Sequence, residues 1–144
     1  MTTIRPARTH DAAAIAALCG QLGYPAGRQQ VVVRLAAIES TRAACVLVVE
    51  DARGRVAGWL HVAEAAQLTG ESDAQILGLV VDEAARGAGL GASLLRAAED
   101  WARSRGAAQL RVRSRIERER AHGFYERAGY ARVKTQAVFR KPLA

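Results

Sequence analysis

The stretch that decides the fold runs Val80-Val81-Asp82-Glu83-Ala84-Ala85-Arg86-Gly87-Ala88-Gly89-Leu90-Gly91-Ala92-Ser93-Leu94-Leu95-Arg96-Ala97-Ala98-Glu99-Asp100-Trp101-Ala102. Just before and into it, Ile76-Leu77-Gly78-Leu79-Val80-Val81 is a short apolar run with a β-branched end, the pattern of a buried strand. A glycine-rich turn follows, from Arg86 to Gly91. Beyond it Leu94, Leu95, Ala98, Trp101 and Ala102 recur at helical spacing on one face. Arg96, Glu99, Asp100 and Arg103 fall on the other face, with Glu99 and Arg103 at a favourable i, i+4 spacing. Gly106 is placed to end the helix as its C′ residue.

Strand, glycine turn, helix is a layout that binds phosphate. The first amides of a helix have no internal partner, and the macrodipole makes that end positive. Glycines let the backbone approach a pyrophosphate with no Cβ in the way. Arg86 adds a fixed charge at the same place. Three other readings compete. Gly87-x-Gly89-x-x-Ala92 also fits a dinucleotide fingerprint, but that pattern needs an acidic residue about 20 positions on. The next strand candidate, Gln109-Leu110-Arg111-Val112-Arg113, is basic instead. A Walker A loop needs Gly-Lys-Ser/Thr, and there is no lysine here. The plainest reading is a strand-to-helix turn with no ligand.

At this point the sequence resembles a known family. Arg86-x-x-Gly89-x-Gly91, after Leu79-Val80-Val81 and before an amphipathic helix, is similar to the acetyl-CoA pyrophosphate loop of the GNAT superfamily of N-acetyltransferases. Ala121-His122-Gly123-Phe124-Tyr125-Glu126-Arg127-Ala128-Gly129-Tyr130 resembles the family's late helix. The two motifs stand in the family's order and separation, and the resemblance covers nearly the whole chain. It implies an α/β fold of the GNAT type: a mixed, mostly antiparallel central sheet, helices on both faces and a splayed acetyl-CoA cleft. It assigns Leu79, Val80 and Val81 to the pantetheine arm. It assigns Arg86, Gly87, Ala88, Gly89, Leu90, Gly91 and Ala92 to the pyrophosphate. Phe124 and Arg118 become further cofactor contacts, with Arg118 standing where relatives often carry asparagine. Ser114, at a strand end, is a further candidate for a CoA contact.

Bulk properties bound the remaining possibilities. A chain of 144 residues, half of them hydrophobic, fits one domain spanning 1–144 with a sizeable core. No apolar run is long enough to span a bilayer. Met1-Thr2-Thr3-Ile4-Arg5 has no apolar signal region, so a cytoplasmic protein without membrane attachment is expected. Cys19 and Cys45 are isolated, which argues against a disulfide framework or a metal site. The formal charge is +7. A basic surface admits nucleic acid, an acidic protein or the CoA phosphates. The arginines lie along the whole chain and lack the interleaved aromatics of a single-strand binder. Nucleic acid is therefore not the expected partner.

In chain order, Thr3 to Ala7 reads as a first strand. Asp11 reads as the N-cap of a helix to Leu22, with Ile15, Leu18, Cys19 and Leu22 inward. Gly23-Tyr24-Pro25 breaks it, and a second helix runs from Arg28 to Glu39. Residues 45–50 and 55–62 form a hairpin around Asp51-Ala52-Arg53-Gly54. Residues 63–73 read as a loop and 74–81 as a strand. After the central turn and helix come a strand at 108–114 and a helix at 117–128. Strands at 130–133 and 135–140 close the chain. The resemblance places acceptor specificity in residues 22–30 and 63–73. By the same analogy, late strands carrying Val138 and Phe139 would form a homodimer.

The chemistry follows from what acetyl transfer requires. A neutral amine must meet a thioester, an oxyanion must be stabilised, and a thiolate must leave. The resemblance gives Tyr125 the catalytic place beside the sulfur. A free tyrosine has a pKa of about 10 and a thiol about 8.5, so full proton transfer is uphill by roughly 2 kcal/mol. A hydrogen bond to the developing thiolate is the gentler role. Where relatives often carry a glutamate base the chain has Gln75, which takes no proton. His61, Glu64, Asp73 and His122 are the alternative bases. The expected activity is acetyl-CoA-dependent N-acetylation of a primary amine, small-molecule or peptide, by direct attack in a ternary complex. A non-catalytic acyl-CoA sensor is the alternative.

Overall fold

The computed structural model describes residues 2–144. They form two compact units, Met1–Val112 and Arg113–Ala144. The first unit is built on one five-stranded sheet: β1 (Thr3–Pro6), β2 (Ala44–Glu50), β3 (Val56–Ala65), β4 (Asp73–Val81) and β5 (Gln109–Val112), in that spatial order. The first four strands pair antiparallel and β5 joins β4 in parallel. A parallel neighbour requires a long crossover. Helix α3 (Leu90–Ser104) supplies it. Helices α1 (Ala12–Leu22) and α2 (Arg28–Thr41) lie between β1 and β2 in sequence.

The two sheet faces are covered by different helices. On β3, side chains two apart share a face. Val48 and Trp59 face one way and pack with Ala12, Ile15, Val31 and Leu35 of α1 and α2. Gly58, Leu60 and Val62 face the other way. There a Cβ at Gly58 would stand 3.3 Å from Leu94 Cδ1 of α3. Leu60, Val62, Leu94 and Leu95 are fully buried. The apolar stripe of α3 is the one its periodicity predicts, with Leu90, Leu94, Leu95, Ala98 and Ala102 all buried. Trp101 is only partly covered and carries Arg105 over its ring at 5.1 Å. Gly106, at φ +77°, ends the helix as expected.

Asp11 departs from its expected role. It does stand at the N-cap position of α1, but its side chain makes no capping bond there. It is 3% exposed. Its carboxylate accepts from Arg5 Nη1 at 2.8 Å, Arg5 Nη2 at 2.9 Å and the Arg8 amide at 2.8 Å. Arg5 also reaches Glu50 at 2.7 Å, so three elements meet on one guanidinium. The local rule favours a cap, but a bidentate arginine offers a buried carboxylate a stronger bond. Asp11→Ala is expected to lower stability by about 3 kcal/mol, read as an earlier urea midpoint. The Arg5 hydrogen bonds hold the Asp11 carboxyl below its ordinary value of 3.8. Its contribution is therefore complete above that pH and is lost as the pH falls further.

The second unit holds α4 (Glu119–Arg127), two residues shorter than expected at its start and one at its end. The two closing strands expected at 130–133 and 135–140 are not formed. Residues 130–144 carry no regular secondary structure. A strand exists through its ladder partner. Val138 and Phe139 are 89% and 92% exposed. Two smaller boundaries also move. β3 runs on to Ala65, so the loop after it covers only residues 66–72, and β5 is confined to Gln109–Val112.

Candidate active site

The centre of the first unit is a defect in the β3–β4 ladder. His61 pairs with Gly78, but the next residue, Val62, pairs with Ile76. Leu77 is the extra residue, a β-bulge that bends β4. The parallel pairing of β4 with β5 covers only Asp73 to Ile76. β5 ends at Val112, so among the described residues the β5 side of β4 has no strand partner from Leu77 to Val81. Asp73 fixes the closed end of this opening. It is buried, bonded to Arg111 Nη2 at 3.1 Å and to Gln109 Nε2 at 3.2 Å on β5.

The open edge leads into the glycine turn. Asp82 caps a short 3-10 turn, Glu83–Ala85, by accepting from the Ala84 amide at 3.1 Å. Gly87 and Gly89 then take φ of +89° and +79°. Those are left-handed conformations that a Cβ disfavours by about 1–2 kcal/mol. Gly89 is the N-cap of α3. A Cβ at either glycine would meet nothing within 4 Å, so the turn is open. Among the described residues, the amides of Gly87 to Ala92 donate to no backbone carbonyl outside the helix. Leu90 is buried and anchors the start of the helix. Arg86 stands exposed beside these donors. The set is a cradle of unsatisfied N–H groups, a helix dipole and a guanidinium, and it fits a pyrophosphate.

One residue that the sequence did not reveal holds this turn in place. Gln21 of α1 accepts from the Glu83 amide at 2.9 Å and donates to Asp82 Oδ1 at 3.3 Å. Nothing in the local pattern of α1 marks it, because its partners lie about 60 residues away in sequence. Gln21→Ala is expected to leave the fold intact and weaken pyrophosphate binding at the turn by up to about 10-fold, checked by calorimetry.

In the second unit, Tyr125 and Phe124 sit side by side on α4. Their rings meet edge-on at 5.1 Å, and Tyr125 meets Tyr130 the same way at 5.9 Å. Burial pushes the Tyr125 hydroxyl above its ordinary value of 10.0, with Arg118 opposing. Arg118 stands at the N-cap of α4. Ser114 Oγ is buried with no hydrogen-bond partner. His122 is fully engaged. The Arg115 carbonyl, 2.8 Å from Nε2, can only accept, so that nitrogen carries the proton. Nδ1 then accepts from Arg132 at 2.8 Å. That leaves His122 no lone pair for a substrate. The structure thus gathers Leu79–Val81 with Arg86–Ala92 in the first unit, and Arg118 with Phe124 and Tyr125 in the second. Among the described residues no group of His, Cys, Asp and Glu could hold a metal ion, and no helix is long and apolar enough to cross a membrane.

Residues 12–130 match the acetyltransferase (GNAT) family. The chain belongs to the GNAT family. It is an acetyl-CoA-dependent N-acetyltransferase, and it transfers acetyl to an amine. It is 27% identical over 147 residues to an aminoglycoside N(6′)-acetyltransferase type 1 of Klebsiella aerogenes, covering 97% of this chain and 96% of that one. Two solved structures share the fold. An aminoglycoside antibiotic 6′-N-acetyltransferase from Acinetobacter baumannii superposes with a TM-score of 0.85 at 15% identity, covering all of both chains. A glucosamine-6-phosphate N-acetyltransferase from Arabidopsis thaliana superposes with a TM-score of 0.82 at 21% identity, covering 97% of this chain and 98% of that one.

Proposed function

We propose that this GNAT enzyme acetylates the primary amine of a small molecule by direct attack in a ternary complex, with the whole of residues 1–144 acting as one catalytic domain. The observation that supports this is the end of the β4–β5 ladder at Ile76, after which the Leu77 to Val81 edge has no strand partner among the described residues and runs straight to the donor-rich turn. An extended chain with amide groups can bond along such an edge as an added strand. The pantetheine arm of acetyl-CoA has that form. In this reading Leu79, Val80 and Val81 bond the arm, and Arg86 through Ala92 hold the pyrophosphate. Arg118, Phe124 and the unpartnered Ser114 hydroxyl give further contacts to CoA. The amine nitrogen bonds to the thioester carbon as the carbon–sulfur bond breaks, and the thiolate leaves.

Tyr125 steadies that thiolate. Burial raises its pKa. That widens the gap to a thiol of about 8.5, so a hydrogen bond rather than a transferred proton is its contribution. Amine basicity limits the acceptor. A lysine-like amine near 10.4 costs about 4.6 kcal/mol to neutralise at pH 7, whereas an amine near 8 costs about 1.4. An amino sugar amine lies toward the cheaper end. The kinship with an aminoglycoside acetyltransferase supports the same choice. The test is release of free CoA thiol from acetyl-CoA with tobramycin, glucosamine 6-phosphate or a short peptide as acceptor. Thiol release with an amino sugar and not with the peptide supports the reading. An acyl-CoA sensor would bind acetyl-CoA and release no thiol with any of them.

A further inference from the structure

The acceptor reaches the enzyme as an ammonium and must lose a proton, yet Gln75 stands where a carboxylate base would serve. The carboxylates nearest the sheet are engaged elsewhere or lie on its other face. Asp73 is held by Arg111 and Gln109. Asp11 and Glu50 hold Arg5. Asp82 caps its turn and Asp51 accepts from the amides of Arg53 and Arg55 in the β2–β3 hairpin. Glu64 pairs with Ala74 and lies on the face of β3 that α3 covers, with Leu60 and Val62. His61 is different. It lies on the opposite face, directly across from Gly78, one residue from the bulge where β4 leaves β5. Paired residues in such a ladder have Cα atoms about 4.5–5.5 Å apart. Trp59 is its neighbour on that face, lying so close over Gly78 that a Cβ there would come within 2.7 Å of the indole. Any side chain at position 78 would force the ring out of place, so Gly78 is what lets the indole lie against β4 beside His61.

We propose that His61 is the general base for the transferred acetyl group's acceptor: its neutral imidazole takes the ammonium proton, directly or through one water, before the freed lone pair attacks. The nitrogen–carbon bond forms, the carbon–sulfur bond breaks with its electron pair leaving on sulfur, the nitrogen sheds its second proton to the departing thiolate or to solvent, and the imidazolium returns its proton to solvent. This rests on the acetyltransferase reading of the same cleft.

The electrostatics agree. Burial alone acts on the imidazole and pushes it below its ordinary value of 6.5, so the ring is neutral at pH 7. No charge faces it. Across the ladder stand Val46 of β2 and Gly78 of β4, and along its own face Trp59 and Ala63, with Gln75 opposite Ala63. Of the two helices that cover this face, α1 has Cys19 as its one titratable side chain, kept protonated by burial, and α2 carries Arg28, Arg34 and Glu39, all exposed. The charged residues of α3, Arg96, Glu99, Asp100 and Arg103, belong to the helix on the other face.

The experiment compares wild type with His61→Gln and His61→Ala, using acetyl-CoA and the amine of the tobramycin, glucosamine 6-phosphate and peptide set that turns over fastest. His61→Gln is expected to lower kcat about 100-fold while the calorimetric Kd for acetyl-CoA stays within about two-fold. The wild-type kcat falls at acid pH as the imidazole protonates, with a midpoint below 6.5, and that limb is absent in the variant. Free imidazole restores part of the rate to His61→Ala. Unchanged kcat with the limb retained removes His61 as base and leaves the acetyltransferase reading standing. Loss of acetyl-CoA binding together with kcat makes the residue structural and overturns the assignment. Wild type that turns over none of the amines overturns both readings together.

Discussion

Arg86→Ala combined with Gly89→Asp is expected to weaken acetyl-CoA binding roughly 1,000-fold without unfolding the protein. The arginine contributes a charge-assisted bond to the pyrophosphate, about 1.5–3 kcal/mol. The aspartate carries negative charge to the place where the anion must sit, at about 1–2 kcal/mol in this exposed setting. Together these come to about 2.5–5 kcal/mol, a range that brackets the roughly 4 kcal/mol of a thousandfold loss. Gly89→Ala is the control. It meets open space and carries only the backbone cost of φ +79°, about 1–2 kcal/mol. It should therefore retain most binding if the charge argument is right. Calorimetric titration of all three proteins, with circular dichroism to confirm the helices, reads the outcome. Equal affinities for wild type and double variant would place the pyrophosphate elsewhere.

Tyr125→Phe is the second large effect. The substitution removes one oxygen and keeps the ring contacts with Phe124 and Tyr130, so stability should change by less than about 1 kcal/mol. The loss falls on the transition state, where negative charge gathers on sulfur. Removing one such donor costs about 100-fold in kcat or more. The KM for acetyl-CoA should hold within about two-fold, because the thioester sulfur of the ground state carries little charge. The raised pKa of Tyr125 keeps the hydroxyl protonated, so kcat should show no falling limb from this residue below pH 10. A variant that keeps full kcat would assign sulfur stabilisation to another donor.

The parts of this site that the sequence reveals are the local ones. The turn from Arg86 to Gly91 declares itself because positive φ needs glycine and an open anion site needs the absence of Cβ. The helix after it declares itself through the spacing of Leu94, Leu95, Ala98 and Ala102. The bulge at Leu77 does not, because it is a mismatch between two registers, and Ile76-Leu77-Gly78-Leu79 reads as an unbroken strand. The opening between β4 and β5 was expected from family likeness alone. Asp11 misleads for a similar reason. Its position fits a cap, and only the fold brings Arg5 against it. Gln21 and His61 acquire meaning from partners far away in sequence. Residues 130–140 alternate like strands, yet alternation states only which side chains would share a face, not that a neighbouring strand is present. His122 shows the converse. It reads as a base candidate by residue type, and two hydrogen bonds take both of its nitrogens.

The account stands most directly on one measurement: the steady-state rate of CoA thiol release by the wild-type chain as acetyl-CoA and tobramycin are varied together. Direct attack in a ternary complex predicts saturation in both substrates and intersecting reciprocal plots. A protein that binds acetyl-CoA yet releases no thiol with tobramycin, glucosamine 6-phosphate or the peptide would contradict it.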